Sequence, residues 1–356
     1  MMDAHLLVER PRFRLDLKIR VVPGEVVALL GPAGAGKTTA LRVLAGLARP
    51  SGGHILLDGA AVHARPSEQR PFGMVCQDPL LFPHMSALRN VAFGPRCRGA
   101  TRAEARRAAT AWLRHVGLGD HLRDMPGDLS AGQAQRVALA RSLAVRPRVL
   151  LLDEPLAALD PDTRLPVRAR LRDHLSGFTG ACILVTHDPV DAMALADRLI
   201  VIEDGHLVQE GTPSEVARHP RTDHVARLVG LNLYRGEARG HDVSIDGLPP
   251  DGFNGRGLTL NVTEDLNGPV FVAFPPSAVT LHPARPEGSP RNMWQGTVEG
   301  IERHGDRIRV HLDGPITASA DLTAAAVADL GLSLGQKVWA AIRATETHAY
   351  PARSRE

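Results

Sequence analysis

Val26-Val27-Ala28-Leu29-Leu30-Gly31-Pro32-Ala33-Gly34-Ala35-Gly36-Lys37-Thr38-Thr39-Ala40-Leu41 reads as a buried strand, a glycine-rich loop and the opening of a helix. An unbroken apolar run suits a strand covered on both faces. The spacing G-x-x-x-x-G-K-[ST], from Gly31 to Thr38, lets backbone N–H groups wrap phosphate oxygens, and a helix N-terminus adds partial positive charge. Lys37 reaches the outer phosphates and the Thr38 hydroxyl can ligate Mg²⁺. Lysine is scarce, found only at Lys18, Lys37 and Lys337. A compact ammonium at Lys37 does what a guanidinium fork does not do equally well. The stretch implies binding of a nucleoside triphosphate.

Outward from this loop, the pattern to about residue 230 alternates strand and helix, which predicts an α/β fold with a largely parallel sheet. Strands are predicted over 26–30, 72–75, 149–152, 182–186 and 199–202, and helices over 38–48, 102–116, 131–145, 167–175 and 189–196. Asp204-Gly205 reads as a tight hairpin turn. After residue 231 glycine and proline become dense, and short alternating segments follow, such as 258–262 and 270–274. A cleaner block over 292–350 predicts strands near 296–302, 307–312 and 338–344 with one helix near 323–330. Three regions are expected: an α/β domain over 1–230, a linker or accessory β segment over 231–288, and a small β-barrel-like domain over 289–352.

The 356 residues have room for two domains, and 44% apolar content supports full cores. No run approaches the length of a membrane span, and no signal peptide is read at the start of the sequence. Cys76, Cys97 and Cys182 lack C-x-x-C spacing, so neither a zinc site nor a disulfide frame is suggested and a reducing compartment fits. A net charge of +3 argues for neither nucleic acid nor an acidic membrane as a main partner.

Val149-Leu150-Leu151-Leu152-Asp153-Glu154 is an apolar strand ending in two carboxylates. In a doubly wound sheet Asp153 emerges beside the glycine-rich loop and can bind Mg²⁺, while Glu154 is positioned to orient or deprotonate water. In Leu129-Ser130-Ala131-Gly132-Gln133, Ser130 can cap a helix whose N-terminus stays open to an anion. Because Lys37 already serves the triphosphate from one side, a second anion site suggests a clamp from another side, such as another subunit.

Together these motifs resemble the ATP-binding-cassette ATPases over about residues 1–230. Leu129 to Gln133 is similar to L-S-G-G-Q with Ala131 for the first glycine. Gln77 resembles the family's lone glutamine, Asp153-Glu154-Pro155 its acidic motif, Ala158-Leu159-Asp160 its aspartate loop, and Thr186-His187-Asp188 its switch histidine. The resemblance implies an α/β P-loop NTPase fold and a head-to-tail homodimer closing over two ATP molecules. Gly31 to Thr38 would cradle the phosphates, with Thr39 supporting the α-phosphate. Thr38, Gln77 and Asp153 would serve Mg²⁺, Glu154 would polarise water, His187 would contact the γ-phosphate, and Asp160 would work across the interface. Phe13 is the candidate for stacking on adenine, with core packing as its competing reading. In importers of this family the region matching 79–85 forms a groove for a helix of the membrane subunit; Leu81, Phe82 and Met85 are its candidates. Two transmembrane permease subunits, an extracytoplasmic solute-binding protein and a peripheral place on the cytoplasmic membrane face follow from the same resemblance.

The C-terminal block resembles the OB-like molybdate-binding accessory domain of molybdate-importer ATPases. Ser289-Pro290-Arg291-Asn292 and Arg343-Ala344-Thr345 are similar to its S-A-R-N and K-[AS]-T, with Pro290 and Arg343 as departures. Ser289, Arg291, Asn292, Arg343, Thr345 and the backbone near Thr317-Ala318-Ser319 are candidates to hold a tetrahedral oxyanion. The resemblance implies molybdate or tungstate as cargo, with sulfate or thiosulfate import, a soluble non-transport cassette ATPase and an oxyanion sensor as rivals.

Overall fold

The computed structural model describes residues 1–157, 159, 161–247, 258–286 and 292–352, with the backbone alone for 161–163. The chain divides into two compact units, Met1–Val216 and Ala217–Glu356.

In the first unit, Met2–Arg10 (β1) and Phe13–Val21 (β2) pair antiparallel. Val26–Leu30 (β3) leads into Lys37–Ala45 (α1), then Gly52–Leu57 (β4), Ala60–Ala61 (β5) and Phe72–Val75 (β6). A helical layer follows: Ala87–Cys97 (α2), Arg102–His115 (α3) and Ala131–Ala144 (α4). The chain returns through Val149–Asp153 (β7), Pro161–Ser176 (α5), Ala181–Val185 (β8), Pro189–Leu195 (α6), Arg198–Glu203 (β9) and His206–Gly211 (β10). Pro213–Arg218 (α7) spans the division between units.

One sheet runs β5-β4-β1-β2-β10-β9-β3-β8-β7-β6. Its β9-β3-β8-β7-β6 half is parallel throughout. Strands β3, β7 and β8 are buried at every position, as their unbroken apolar runs require. The other half is largely antiparallel, which the expectation of a parallel sheet did not include. Its strands alternate instead: Met2, Ala4, Leu6 and Val8 are buried, as are Leu15, Leu17, Ile19 and Val21. One face of these strands meets the core and the other carries His5, Asp16 and Lys18. Asp204 (φ 47°) and Gly205 (φ 78°) form the hairpin turn between β9 and β10, both in the left-handed region that such two-residue turns need. The helical layer has its own core, including Val91, Leu113, Leu118 and Val137.

The second unit contains Asp223–Val229 (α8), Asn232–Ile245 (β11), Thr259–Phe274 (β12), Thr280–His282 (β13), Asn292–His304 (β14), Arg307–Asp313 (β15), Ala318–Leu322 (β16), Ala324–Asp329 (α9), Lys337–Ile342 (β17) and His348–Pro351 (β18). Sheets β11-β12-β18 and β13-β17-β14-β15-β16 share one core. Val243, Val272 and Phe274 from the first half pack there with Trp294, Val310 and Ala340 from the second. The segments expected at 258–262 and 270–274 merge, from Thr259 onward, into one long strand, β12, whose pairing with β11 shifts register between Gly240 and Asp242.

Candidate functional site

Strand order assembles the site. Because β3, β8, β7 and β6 are parallel neighbours in that sequence, their C-terminal ends lie side by side. The glycine-rich loop follows β3, Thr186-His187 follows β8, Asp153-Glu154 closes β7, and Cys76-Gln77 follows β6.

The loop is shaped by its glycines. Gly31 has φ 147°, and a Cβ there would lie 2.0 Å from the Ile202 carbonyl oxygen. Gly36 has φ 106°, and a Cβ would meet the Phe13 ring at 2.7 Å and Leu15 at 3.0 Å. Pro32, Ala33 and Gly34 form the outer turn, closed by the Ala35 N–H donating to the Pro32 carbonyl (3.2 Å). Gly36 caps α1 without a side-chain hydrogen bond, so the first-turn N–H groups stay available to an anion. The buried Lys37 ammonium donates to the carbonyls of Gly31 (2.7 Å) and Pro32 (2.8 Å). Burial holds its pKa below the usual lysine range, partly offset by Glu154 and Asp153. Thr39 is half-buried. Phe13 is half-buried too, packed over Gly36 and against the sheet core, which places an aromatic ring beside the loop.

Asp153 is buried, with the Thr38 side chain beside it. Burial, then the like charge of Glu154, raise its pKa above the ordinary carboxylate value, against the pull of Arg42, Thr38 and Lys37. This desolvated carboxylate, next to a hydroxyl and a phosphate loop, fits a hard divalent cation with few protein ligands. The sign of the shift gives a test. A carboxyl with a raised folded pKa contributes most below its ordinary value near 3.8 and loses that contribution as pH rises through the raised one. Asp153→Asn is therefore expected to raise the nucleotide-free thermal midpoint of the first unit, increasingly with pH, while ATP hydrolysis falls. Calorimetric scans across pH check this, and an unchanged midpoint at neutral pH would remove the burial account.

Glu154 sits at φ 48°, a region non-glycine residues occupy at a cost and often at functional sites. Its N–H donates to the Val185 carbonyl (2.9 Å). Its carboxylate lies 3.1 Å from His187 Nδ1. Gln77 is exposed just past the end of β6, where Val75 pairs with Leu152 of β7.

Ser130 caps α4 by accepting the Gln133 N–H (3.3 Å), and the Gln133 side chain returns to the Ser130 N–H (2.8 Å). Gln133 Nε2 also lies 3.2 Å from His121. Leu129 packs against the helical-layer core, Ser130 and Ala131 are exposed, and a Cβ on Gly132 would stand 3.0 Å from Leu159. The partners of Leu129, Ser130 and Gln133 belong to the helical layer, whereas Leu159 lies between β7 and α5; none is in the glycine-rich loop. Asp160 lies outside the described residues.

In the second unit Ser289 and Arg291 also lie outside the described residues. Asn292 is fully buried, and both ends of its amide engage Asn261: Oδ1 accepts the Asn261 N–H (2.6 Å) and Nδ2 donates to its carbonyl (2.8 Å). Arg343 and Thr345 are exposed at the end of β17. Near Thr317-Ala318-Ser319, Tyr234 donates to the Thr317 carbonyl (2.7 Å), and the Asn232 amide engages both backbone groups of Ser319.

Some structural anchors carried no sequence signal that singled them out. Asn90, fully buried, bonds the backbone of Phe82, Met85 and Ser86. Arg141 donates to the carbonyls of Pro79 and Leu80 and lies over the Phe82 ring. Together they fix the turn after Gln77. A groove of about 690 Å³ lies between α2 and α3, lined by Met85, Leu88, Phe93 and several arginines. Of Leu81, Phe82 and Met85, it is Met85 that lines it; Leu81 packs on the helical-layer core and Phe82 on Phe93.

Residues 15–157 match the ABC transporter family and residues 288–349 the TOBE domain. The chain is 41% identical over 359 residues to the molybdenum import ATP-binding protein ModC of Mycobacterium tuberculosis, covering 95% of each. It is 33% identical to the molybdate/tungstate import ATP-binding protein WtpC of Pyrococcus horikoshii, covering 94% of this chain and 95% of that one. It is 41% identical to the Fe(3+) ions import ATP-binding protein FbpC 1 of Rhizobium meliloti, over 76% of each. Among solved structures, a dimeric post-hydrolysis ATP-binding cassette bound to ADP and phosphate superposes with TM-score 0.53 and 28% identity, covering 60% of this chain and 99% of that one. With the glycine-rich loop, acidic strand end, histidine and capped signature helix on one α/β scaffold, and relatives matching it end to end, this chain belongs to the ATP-binding proteins of the ABC transporter family.

Proposed function

We propose that the chain is the ATP-hydrolysing subunit of a molybdate or tungstate importer. The Glu154–His187 pair, held beside the Lys37 loop by strand order, carries the hydrolytic part of this reading. Relatives named for molybdenum, molybdate or tungstate import, aligned through both units, support the cargo.

In this reading the loop N–H groups from Gly31 to Thr38 hold the triphosphate, with Lys37 turning from its loop carbonyls to the β- and γ-phosphates. Thr39 supports the α-phosphate and Phe13 offers its ring to adenine. Mg²⁺, held by Thr38, Asp153 and Gln77, would supply charge neutralisation across the phosphates. Glu154 accepts the proton of an attacking water, and His187 keeps that carboxylate oriented and reaches the γ-phosphate. Ser130, Ala131 and Gly132 of a second copy close the site, with Asp160 acting across the same interface. Ser130 suits such a closing contact, because its oxygen accepts the cap hydrogen bond while its O–H remains free to donate.

No helix among the described residues is long and apolar enough to cross a membrane. In line with the import relatives, passage of cargo is assigned to permease subunits supplied by an external binding protein. The chain would sit at the cytoplasmic face, with the groove at Met85 receiving a permease helix. Oxyanion binding in the second unit, through Ser289, Arg291, Arg343 and Thr345, would slow the ATPase when internal molybdate is ample.

The test is uptake in cells lacking their own molybdate-import ATPase, supplied with this chain and its permease. Molybdate uptake that is blocked by tungstate, and not by sulfate or ferric ion, is the expected result. Ferric uptake without molybdate uptake would move the chain to the iron-import relatives.

A further inference from the structure

The segments that carry Glu154 and His187 are joined again a few residues downstream by buried charge. Asp191, in the first turn of α6, is 2% exposed. One carboxylate oxygen accepts from Arg164 Nη2 (2.5 Å) and the other from Arg168 Nε (2.6 Å). Both arginines come from the start of α5, one helical turn apart and on one face. The same Arg164 nitrogen lies 2.9 Å from Asp188 Oδ2. The other Asp188 oxygen caps α6 by accepting the N–H groups of Val190 (2.7 Å) and Asp191 (3.2 Å). Asp188 directly follows His187, and its own N–H donates to the Thr186 hydroxyl (3.1 Å). The helix after the Glu154 turn is thus stapled to the helix after His187, two arginines against two aspartates.

The His187 side chain is 61% exposed, so neighbouring packing does little to hold it. Its place opposite Glu154 depends on where Thr186 and Asp188 hold its backbone. We infer that Asp191, with Arg164 and Arg168, is a positioning residue for ATP hydrolysis, setting the reach of His187 to Glu154 without itself touching ATP. The inference rests on the roles given above to Glu154 and His187. The clamp also fixes the first turn of α5, directly after residue 160. A shift of that turn is therefore transmitted to the histidine by ion pairs rather than through the sheet.

The test compares Asp191→Asn, Asp191→Glu, His187→Ala and their combinations in the full chain, with ATP as substrate. Asp191→Asn is expected to lower kcat about tenfold, since small misplacements of catalytic groups cost rate steeply. KM for ATP should stay within about twofold, because the loop around Lys37 is untouched. Asp191→Glu should recover most of the rate. The His187→Ala/Asp191→Asn double variant should be no slower than His187→Ala alone, because residues acting through one another are non-additive. Additive losses, or an Asp191→Asn deficit that disappears on assaying well below its unfolding midpoint, would reduce the clamp to a structural role and overturn the inference. An unchanged kcat in Asp191→Asn would overturn it outright. Glu154→Gln is run alongside: if that variant keeps full activity the functional reading fails, whereas its loss beside an unaffected Asp191→Asn rejects the clamp alone.

Discussion

Glu154→Gln is expected to bind ATP, assemble as a dimer and stop turning over. The substitution keeps side-chain size but removes the carboxylate proposed above as the general base, just past the end of β7. Loss of a positioned general base costs about a hundredfold to ten-thousandfold in rate. Lys37, Thr38 and Asp153 are untouched, so nucleotide affinity should remain, and a chain that binds without hydrolysing accumulates in its ATP-bound dimer. The backbone at Glu154 adds a second effect. Its φ of 48° strains glutamine and glutamate alike, because both are unbranched at Cβ, so folding should not suffer. Size-exclusion chromatography with ATP and Mg²⁺, beside a phosphate-release assay, reads both parts. A monomer with near-normal phosphate release would sink the assignment of Glu154.

Gly31→Ala is expected to be among the most damaging single methyl groups in the first unit, alongside Gly53 and Gly205, where an added Cβ would meet backbone oxygens at 1.9 and 1.8 Å. At φ 147° alanine is strained, and its Cβ would sit 2.0 Å from the Ile202 oxygen. That oxygen is backbone on β9, which neighbours β3 through pairs such as Leu30 with Val201, so no rotamer change can clear it. Either the strands separate or the loop lifts, and a clash of this kind belongs to the severe tail of point substitutions, about 4 kcal/mol or more. Urea unfolding should show the first unit's midpoint falling and the second unit's unchanged, with ATP binding lost. Gly34→Ala, where no atom lies within 4 Å of the added carbon, separates the clash from the conformational strain. Equal midpoints for wild type and Gly31→Ala would contradict this account of the loop.

The parts of the site that were legible are those in which chemistry restricts residue type and spacing together. Gly31 to Thr38, Asp153-Glu154 and the Ser130 cap are local: each needs only its own strand end or helix start. What had to wait for the structure was non-local. Strands β1, β2 and β4 are half-exposed and alternate, which reads weakly beside the continuous runs of β3 and β7. Helix α2 carries Gly94 and Pro95, poor helix formers, and is secured by the bonds of Asn90 to the preceding turn. The start of α5 was expected after Pro166, but the helix begins at Pro161, held from outside by Arg164 and Arg168 on Asp191. The amide of Asn292 illustrates the same limit: its sequence neighbours point to an anion, whereas its bonds go to Asn261, far away along the chain.

The sheet order also sets a timetable for synthesis. Strand β3 bonds to β8 and β9 and to no earlier strand. Its apolar run, finished at Leu30, has its last neighbour only when the ribosome has passed Glu203, a delay of roughly 10–35 s at ordinary elongation rates. Until β8 is complete at Val185 the segment destined to carry the phosphate loop is an unpaired hydrophobic strand, and until Glu203 it is still open along one edge. The β1–β2 hairpin and β4 can zip together early, but a nascent chain stopped before residue 198 cannot seat β3 between both of its partners. The catalytic end of this sheet is thus the part of the molecule most dependent on shielding during translation.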